Sequence, residues 1–156
     1  MQITLSQKER LLLEDLKSHE EICILKYSNY ASEAQDTQLK QICKNNEQVE
    51  RTHLDTINQL LSGTVPQMNQ QQNQNSGQNS NDNTTTKQAA ENISDKDICS
   101  DLLMAEKYVS GTYDTSIFEF KDTEVRDVLN HIQKEEQKHG EAIFKYMESK
   151  GMYTVQ

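Results

Sequence analysis

Residues 125–146 read "VRDVLNHIQKEEQKHGEAIFKY", and their spacing decides the fold. Val125, Leu129, Ile132, Glu136, His139, Ile143 and Tyr146 recur every three or four positions. That spacing is one face of an α-helix turned towards a core. A carboxylate and an imidazole occupy the middle of it. Upstream, Leu39, Cys43, Asn46, Glu50, His53, Ile57 and Leu60 repeat the pattern. Two more stripes follow the same period: Leu13, Leu16, Glu20, Cys23, Tyr27, Ala31 and Ala34, then Leu102, Glu106, Val109, Tyr113 and Ile117. Each of the four inward faces carries a glutamate near its middle.

Helix-start signals bracket these stripes. Ser6-x-x-Glu9 and Ser94-x-x-Asp97 have the form of capping boxes, and Asp36 and Asp122 are candidate N-caps after short turns. The signals predict helices near 6–34, 37–62, 94–119 and 123–149, with Gly151 as a stop for the last. Each half of the chain is then a helical hairpin. The halves also repeat. Residues 14–61 align with 100–147 without a gap, and ten of the 48 positions are identical, including Glu20/Glu106, Tyr27/Tyr113, Asp36/Asp122, Glu50/Glu136 and His53/His139. Two equivalent hairpins predict an all-α, antiparallel four-helix bundle with a pseudo-two-fold axis. Between them, residues 67–83 read "QMNQQQNQNSGQNSNDN", with twelve of 17 positions Gln or Asn. Such a run has nothing to bury, so the organisation expected is a hairpin over 1–63, a flexible linker over 64–93 and a hairpin over 94–156, forming one bundle. A linker of this length permits a crossover along the whole bundle, the ferritin-like topology, and equally a shorter connection.

Composition narrows the function classes. The net charge of −9 makes nucleic acid or an anionic membrane a poor partner. No apolar run reaches the roughly 18 residues of a membrane helix. The first residues, "MQITLSQKERLLLEDL", lack the basic and apolar regions of a secretory signal, so synthesis in the cytoplasm is the expectation. Cys23, Cys43 and Cys99 are widely spaced and form no C-x-x-C, which argues against a disulfide framework or a zinc ribbon. Cys23 and Cys43 fall on core stripes. Cys99, near the start of the third helix, has room to be exposed there and is read as a free thiol. His19 and His131 fall off the stripes and are expected at the surface.

The buried acids demand an explanation. An unpaired buried carboxylate either neutralises by taking a proton or finds a counter-charge. No Lys or Arg lies on these stripes, and two histidines offset at most two of four charges. A pair of divalent cations would balance all four. One Glu from each of two helices and a Glu-x-x-His from each of the other two is the known donor set of two-metal bundles. Here the set is Glu20, Glu50, His53, Glu106, Glu136 and His139, with 30 residues from the lone to the paired Glu in both halves. Oxygen and imidazole donors suit iron or manganese, and zinc less specifically. The alternative is a relic site, in which the same residues form a buried hydrogen-bond network with protonated carboxyls. Tyr27 and Tyr113, seven residues after Glu20 and Glu106, are either hydrogen-bond partners of these carboxylates or ordinary core tyrosines.

These residues carry a family resemblance. The six donors resemble those of the ferritin-like superfamily. More closely, "SQKERLLLEDLKSHEEICILKYSNYASEAQD", "VERTHLDTINQLL", "EKYVSGTYDTSIFEF", "VRDVLNHIQKEEQKHGEAIFKYM" and "SKGMY" resemble Coat F type spore coat proteins of endospore-forming bacteria. The resemblance covers nearly all of the chain outside the Gln/Asn run. It implies a ferritin-like bundle, residence in the spore coat and other coat proteins as partners, with self-association open. It brings no catalytic residue with it. The wider superfamily includes ferroxidases, manganese catalases and rubrerythrins. The chain has no rubredoxin-like Cys pair and no fifth helix after Gly151, which argues against a rubrerythrin or a storage cage. Two readings follow: a structural coat protein with a buried di-metal carboxylate site, or a di-iron or di-manganese oxidase, peroxidase or catalase located in the coat. Metal sequestration without turnover is a third.

Overall fold

A computed structural model describes residues 1–67 and 93–155 of the chain. Most of the expected linker, 68–92, lies outside the described residues. The four helices are α1 (Gln7–Glu33), α2 (Thr37–Leu61), α3 (Asp95–Glu119) and α4 (Thr123–Ser149). They form an all-α four-helix bundle, as the stripes predict.

The caps explain the boundaries. Ser6 and Glu9 make the full reciprocal capping box. Asp36 accepts the Gln38 N–H, and Asp122 accepts those of Glu124 and Val125. Ser94 accepts the Asp97 N–H, but Asp97 returns the bond to the Ser94 hydroxyl rather than to its backbone. At the other ends, Gly63 and Gly151 take φ of 82° and 69°. Each follows a helix and closes its last turn with two backbone bonds, Gly63 N–H to Leu60 and Thr64 N–H to Gln59, and Gly151 N–H to Glu148 and Met152 N–H to Met147. Only glycine holds that left-handed position without a steric cost.

Contacts between helices set the topology. α1 packs chiefly on α2, and α3 on α4. Across the hairpins, Lys8 pairs with Glu119 while Lys26 pairs with Asp101 at 2.6 Å, so α1 and α3 run antiparallel. His53 meets Glu135 and Asp36 meets Lys150, so α2 and α4 do too. It follows that α2 ends at the opposite end of the bundle from the start of α3. Those two helix ends lie about 37 Å apart for helices of this length. The repeat is visible in three dimensions. Glu9, in the first turn of α1, accepts the Lys121 N–H in the α3–α4 turn. Its equivalent Asp95, in the first turn of α3, accepts the Gln35 and Asp36 N–H groups in the α1–α2 turn. Each hairpin start thus clamps the other hairpin's turn.

The apolar residues separate into two clusters, one towards each end of the bundle. Leu13, Leu16, Leu60, Leu129 and Ile132 belong to one, and Tyr27, Leu39, Leu102, Ile143 and Tyr146 to the other. The acids lie between them. Residues 1–5 cover the first cluster, with Ile3 donating to Gly63 and Val65 to Met1. Two expectations need correction. Cys99 is fully buried in the second cluster beside Cys43, because the first turn of α3 already lies against the bundle. Ile117 is only partly covered, and Ser116 takes the inward place. Cys23, Cys43 and Cys99 are free thiols. Tyr153 packs back edge-on against Phe144 of α4.

Candidate metal centre

Each helix delivers its polar residues at mid-height. Glu20 comes from α1, Glu50 and His53 from α2, Glu106 from α3, and Glu136 and His139 from α4. The i, i+3 spacing puts each Glu and His on one helical face. All six are buried. Glu20 and Glu50 are 0 % exposed, Glu136 1 %, His53 2 %, Glu106 3 % and His139 4 %.

The donor atoms form two overlapping groups. Glu20, Glu50, His53 and Glu136 make one, and Glu50, Glu106, Glu136 and His139 the other, each with its atoms within 4.8 Å of one another. Glu50 and Glu136 belong to both. The His53 Nδ1 lies 3.0 Å from Glu50, 3.1 Å from Glu136 and 3.6 Å from Glu20. The His139 Nδ1 lies 3.3 Å from Glu50, 3.5 Å from Glu136 and 3.6 Å from Glu106. The two rings stack with centroids 5.9 Å apart. The repeat therefore makes a centre with two equivalent halves and a shared middle.

A ring of outer contacts holds these residues. The Tyr27 hydroxyl donates to Glu106, and the Tyr113 hydroxyl donates to Glu20. Each tyrosine thus reaches the glutamate of the opposite hairpin, which spacing within one helix does not reveal. Asn46 donates to the Tyr27 hydroxyl at 3.2 Å. Residue 132, its repeat equivalent, is Ile, so Tyr113 has no such support. Glu135 stands 3.0 Å from the His53 Nε2 and fixes that ring from outside. Sequence reasoning missed Glu135, because it lies beside the stripe rather than on it. The only sequence signal was His131 one turn earlier, 3.7 Å from the same carboxylate. Removing one tyrosine hydroxyl leaves a buried glutamate oxygen without its donor. Tyr27→Phe and Tyr113→Phe are each expected to destabilise the metal-free protein by about 1–3 kcal/mol, read from urea unfolding.

The electrostatics show how the metal-free centre is held. Burial pushes Glu20 up to about 8, against the pull of His53. Burial also raises Glu106 well above the usual carboxylate range, and the facing Glu136 adds to it. Burial works against ionised Glu50 and Glu136 too, but the His53 and His139 rings 3.0–3.5 Å away outweigh it and both are lowered. Burial disfavours charged imidazoles, yet the surrounding carboxylates raise His53 well above its ordinary value and His139 to about 11. In the metal-free core the shifts favour protons on Glu20, Glu106, His53 and His139 and negative charge on Glu50 and Glu136. The charges within the six cancel.

Protons alone leave the centre incompletely satisfied. Glu20 Oε2, Glu50 Oε1, Glu106 Oε2, both Glu136 oxygens and both His139 nitrogens are buried without a hydrogen-bond partner. Native interiors leave few such atoms. Glu20 and Glu106 each give one oxygen to a tyrosine and keep the other free. A free oxygen beside a tethered one on each of these glutamates is what oxygen-preferring cations can use, and the donor set fits two of them. A cleft of about 470 Å³ between α3 and α4 reaches Glu106 and Glu136 from outside.

Comparison with known proteins adds one finding. No curated protein and no solved structure matches the chain. No helix among the described residues is long and apolar enough to cross a membrane. Residues 94–156, which carry α3, α4, Glu106, Glu136 and His139, match the family model described as the Coat F domain, and this match supports the Coat F family for the second hairpin.

Proposed function

We propose that the chain is a spore coat protein whose bundle holds a two-metal carboxylate centre. Glu50 and Glu136, common to both donor groups, would serve both ions, with Glu20 and His53 holding one and Glu106 and His139 the other. The observation that carries this reading is the pair of overlapping buried donor groups. Iron or manganese bound there would supply Lewis-acid and redox chemistry. The chain's own residues do the positioning. Tyr27 and Tyr113 orient the two terminal glutamates, and Glu135 fixes the His53 ring. The Coat F match supports residence in the coat. Ile22, Met104 and Tyr108, exposed around the groove between α1 and α3, fit contact with other coat proteins or with a second copy.

A second reading, a di-iron or di-manganese oxidoreductase housed in the coat, is favoured by the cleft that opens on Glu106 and Glu136. Electron paramagnetic resonance of protein loaded with Mn(II) tests the centre. A spin-coupled pair is the expected signal, and only isolated Mn(II) would contradict a shared site. Immunodetection in fractionated spores tests the location. Signal in the coat extract is expected, and signal confined to the spore core would contradict it. Peroxide and oxygen consumption by loaded protein separates the enzyme from the structural reading.

A further inference from the structure

The two hairpins are equivalent in their donors but not in their surfaces. Gly111 and Gly140 line the cleft between α3 and α4, together with Ser110, Asp114 and Gln133, and Glu106 and Glu136 lie at its inner end. In the first hairpin the equivalent positions carry Leu25 and Leu54. Neither glycine is demanded by the backbone, since positive φ occurs at Gly63 and Gly151 and not at these two. Neither is demanded by packing. A Cβ on Gly111 would meet nothing within 4 Å, and one on Gly140 only Leu103 at an ordinary 3.7 Å. Glycine inside a helix is also unfavourable relative to other residues. What the two glycines do provide is open space above buried carboxylates. Glu106 Oε2 and both Glu136 oxygens lack partners there.

We propose that the α3–α4 cleft is a one-sided access site, kept open by Gly111 and Gly140, through which a small metal-coordinating molecule of peroxide or azide size reaches the centre. This rests on the two-metal reading. The occupant is small because Glu106 Oε2 and both Glu136 oxygens are themselves closed to solvent, so nothing large can pass from the cleft to them. It coordinates metal because the buried donors are where it must end; on the way Ser110, Asp114 and Gln133 place polar groups along a mostly apolar cleft, with Gln133 donating to the Ser110 carbonyl at 2.9 Å.

The test is azide binding to the full chain loaded with iron and oxidised, followed by its charge-transfer absorbance in stopped flow. The variant Gly111→Leu/Gly140→Leu gives the second hairpin the residues that the first carries, and leucine favours a helix more than glycine does. Metal content is measured alongside. Expected are full metal content in both proteins and azide association at least tenfold slower in the variant. Full metal content with unchanged association overturns the access site. So does wild-type protein that loads two ions yet binds no azide, and that result leaves the metal reading standing. Wild-type protein that holds no metal overturns both. If the double variant loses its metal, Gly111→Leu alone is judged by the same criteria.

Discussion

Loading with Fe(II) under argon, or with Mn(II), is expected to raise the melting temperature by about 10 °C. A ligand at about 1,000 times its dissociation constant stabilises the native state by about 4 kcal/mol. In a domain of this size each kcal/mol moves the midpoint by about 2–4 °C. The ions act on the centre's weakest feature, buried carboxylate and imidazole atoms that lack partners. The effect should vanish in Glu50→Gln/Glu136→Gln, because those two residues serve both donor groups. Glutamine keeps the volume, so the variant tests donor chemistry rather than packing. Its metal-free stability can move either way, since loss of two ionised partners leaves His53 and His139 to become neutral. The readout is therefore the metal-induced shift, measured by calorimetry with and without ions. An equal shift in wild type and variant would place the binding elsewhere on the acidic surface.

The second large effect is on pH. In the metal-free protein Glu20 is raised to about 8, His139 to about 11, and Glu106 and His53 well above their ordinary values, so all four favour the protonated form at neutral pH. Ions bind the deprotonated forms, so binding two of them expels up to four protons. The sign follows directly. Raising the pH removes the competitor and tightens binding, and lowering it displaces the ions. Each proton released per ion corresponds to a change in affinity of about tenfold for each pH unit. Titration with Mn(II) in weakly buffered solution, read with a pH indicator, measures the release. Exposed aspartates and glutamates are already ionised at pH 7 and would release almost none. The proton count therefore separates the buried centre from adventitious surface binding.

Much of the fold was legible in the sequence because its signals are local. A capping serine or aspartate, a three-and-four stripe and a C-terminal glycine each act within a turn or two, and the four helix boundaries came within a residue or so of those observed. The six polar residues were legible for the same reason. A glutamate on a core stripe is anomalous whatever surrounds it. What stayed hidden depends on neighbours from other helices. Periodicity says that Glu50 and Glu136 face inward, but only the packed bundle makes them common to both donor groups. The bonds from Tyr27 to Glu106 and from Tyr113 to Glu20 cross between hairpins, so no spacing within a helix announces them. Glu135 sits off the stripe and reaches His53 through the length of its side chain. The burial of Cys99 was hidden because the depth at which α3 begins depends on how the hairpins dock. The cleft was likewise invisible until Gly111 and Gly140 fell on the same groove.

The most direct measurement is elemental analysis of the full chain after anaerobic loading and exhaustive gel filtration, beside Glu50→Gln/Glu136→Gln treated in the same way. The centre described here predicts two ions of iron or manganese per wild-type chain and none retained by the variant. Wild-type protein that keeps no metal under any loading condition, or a variant that keeps as much as wild type, would contradict it.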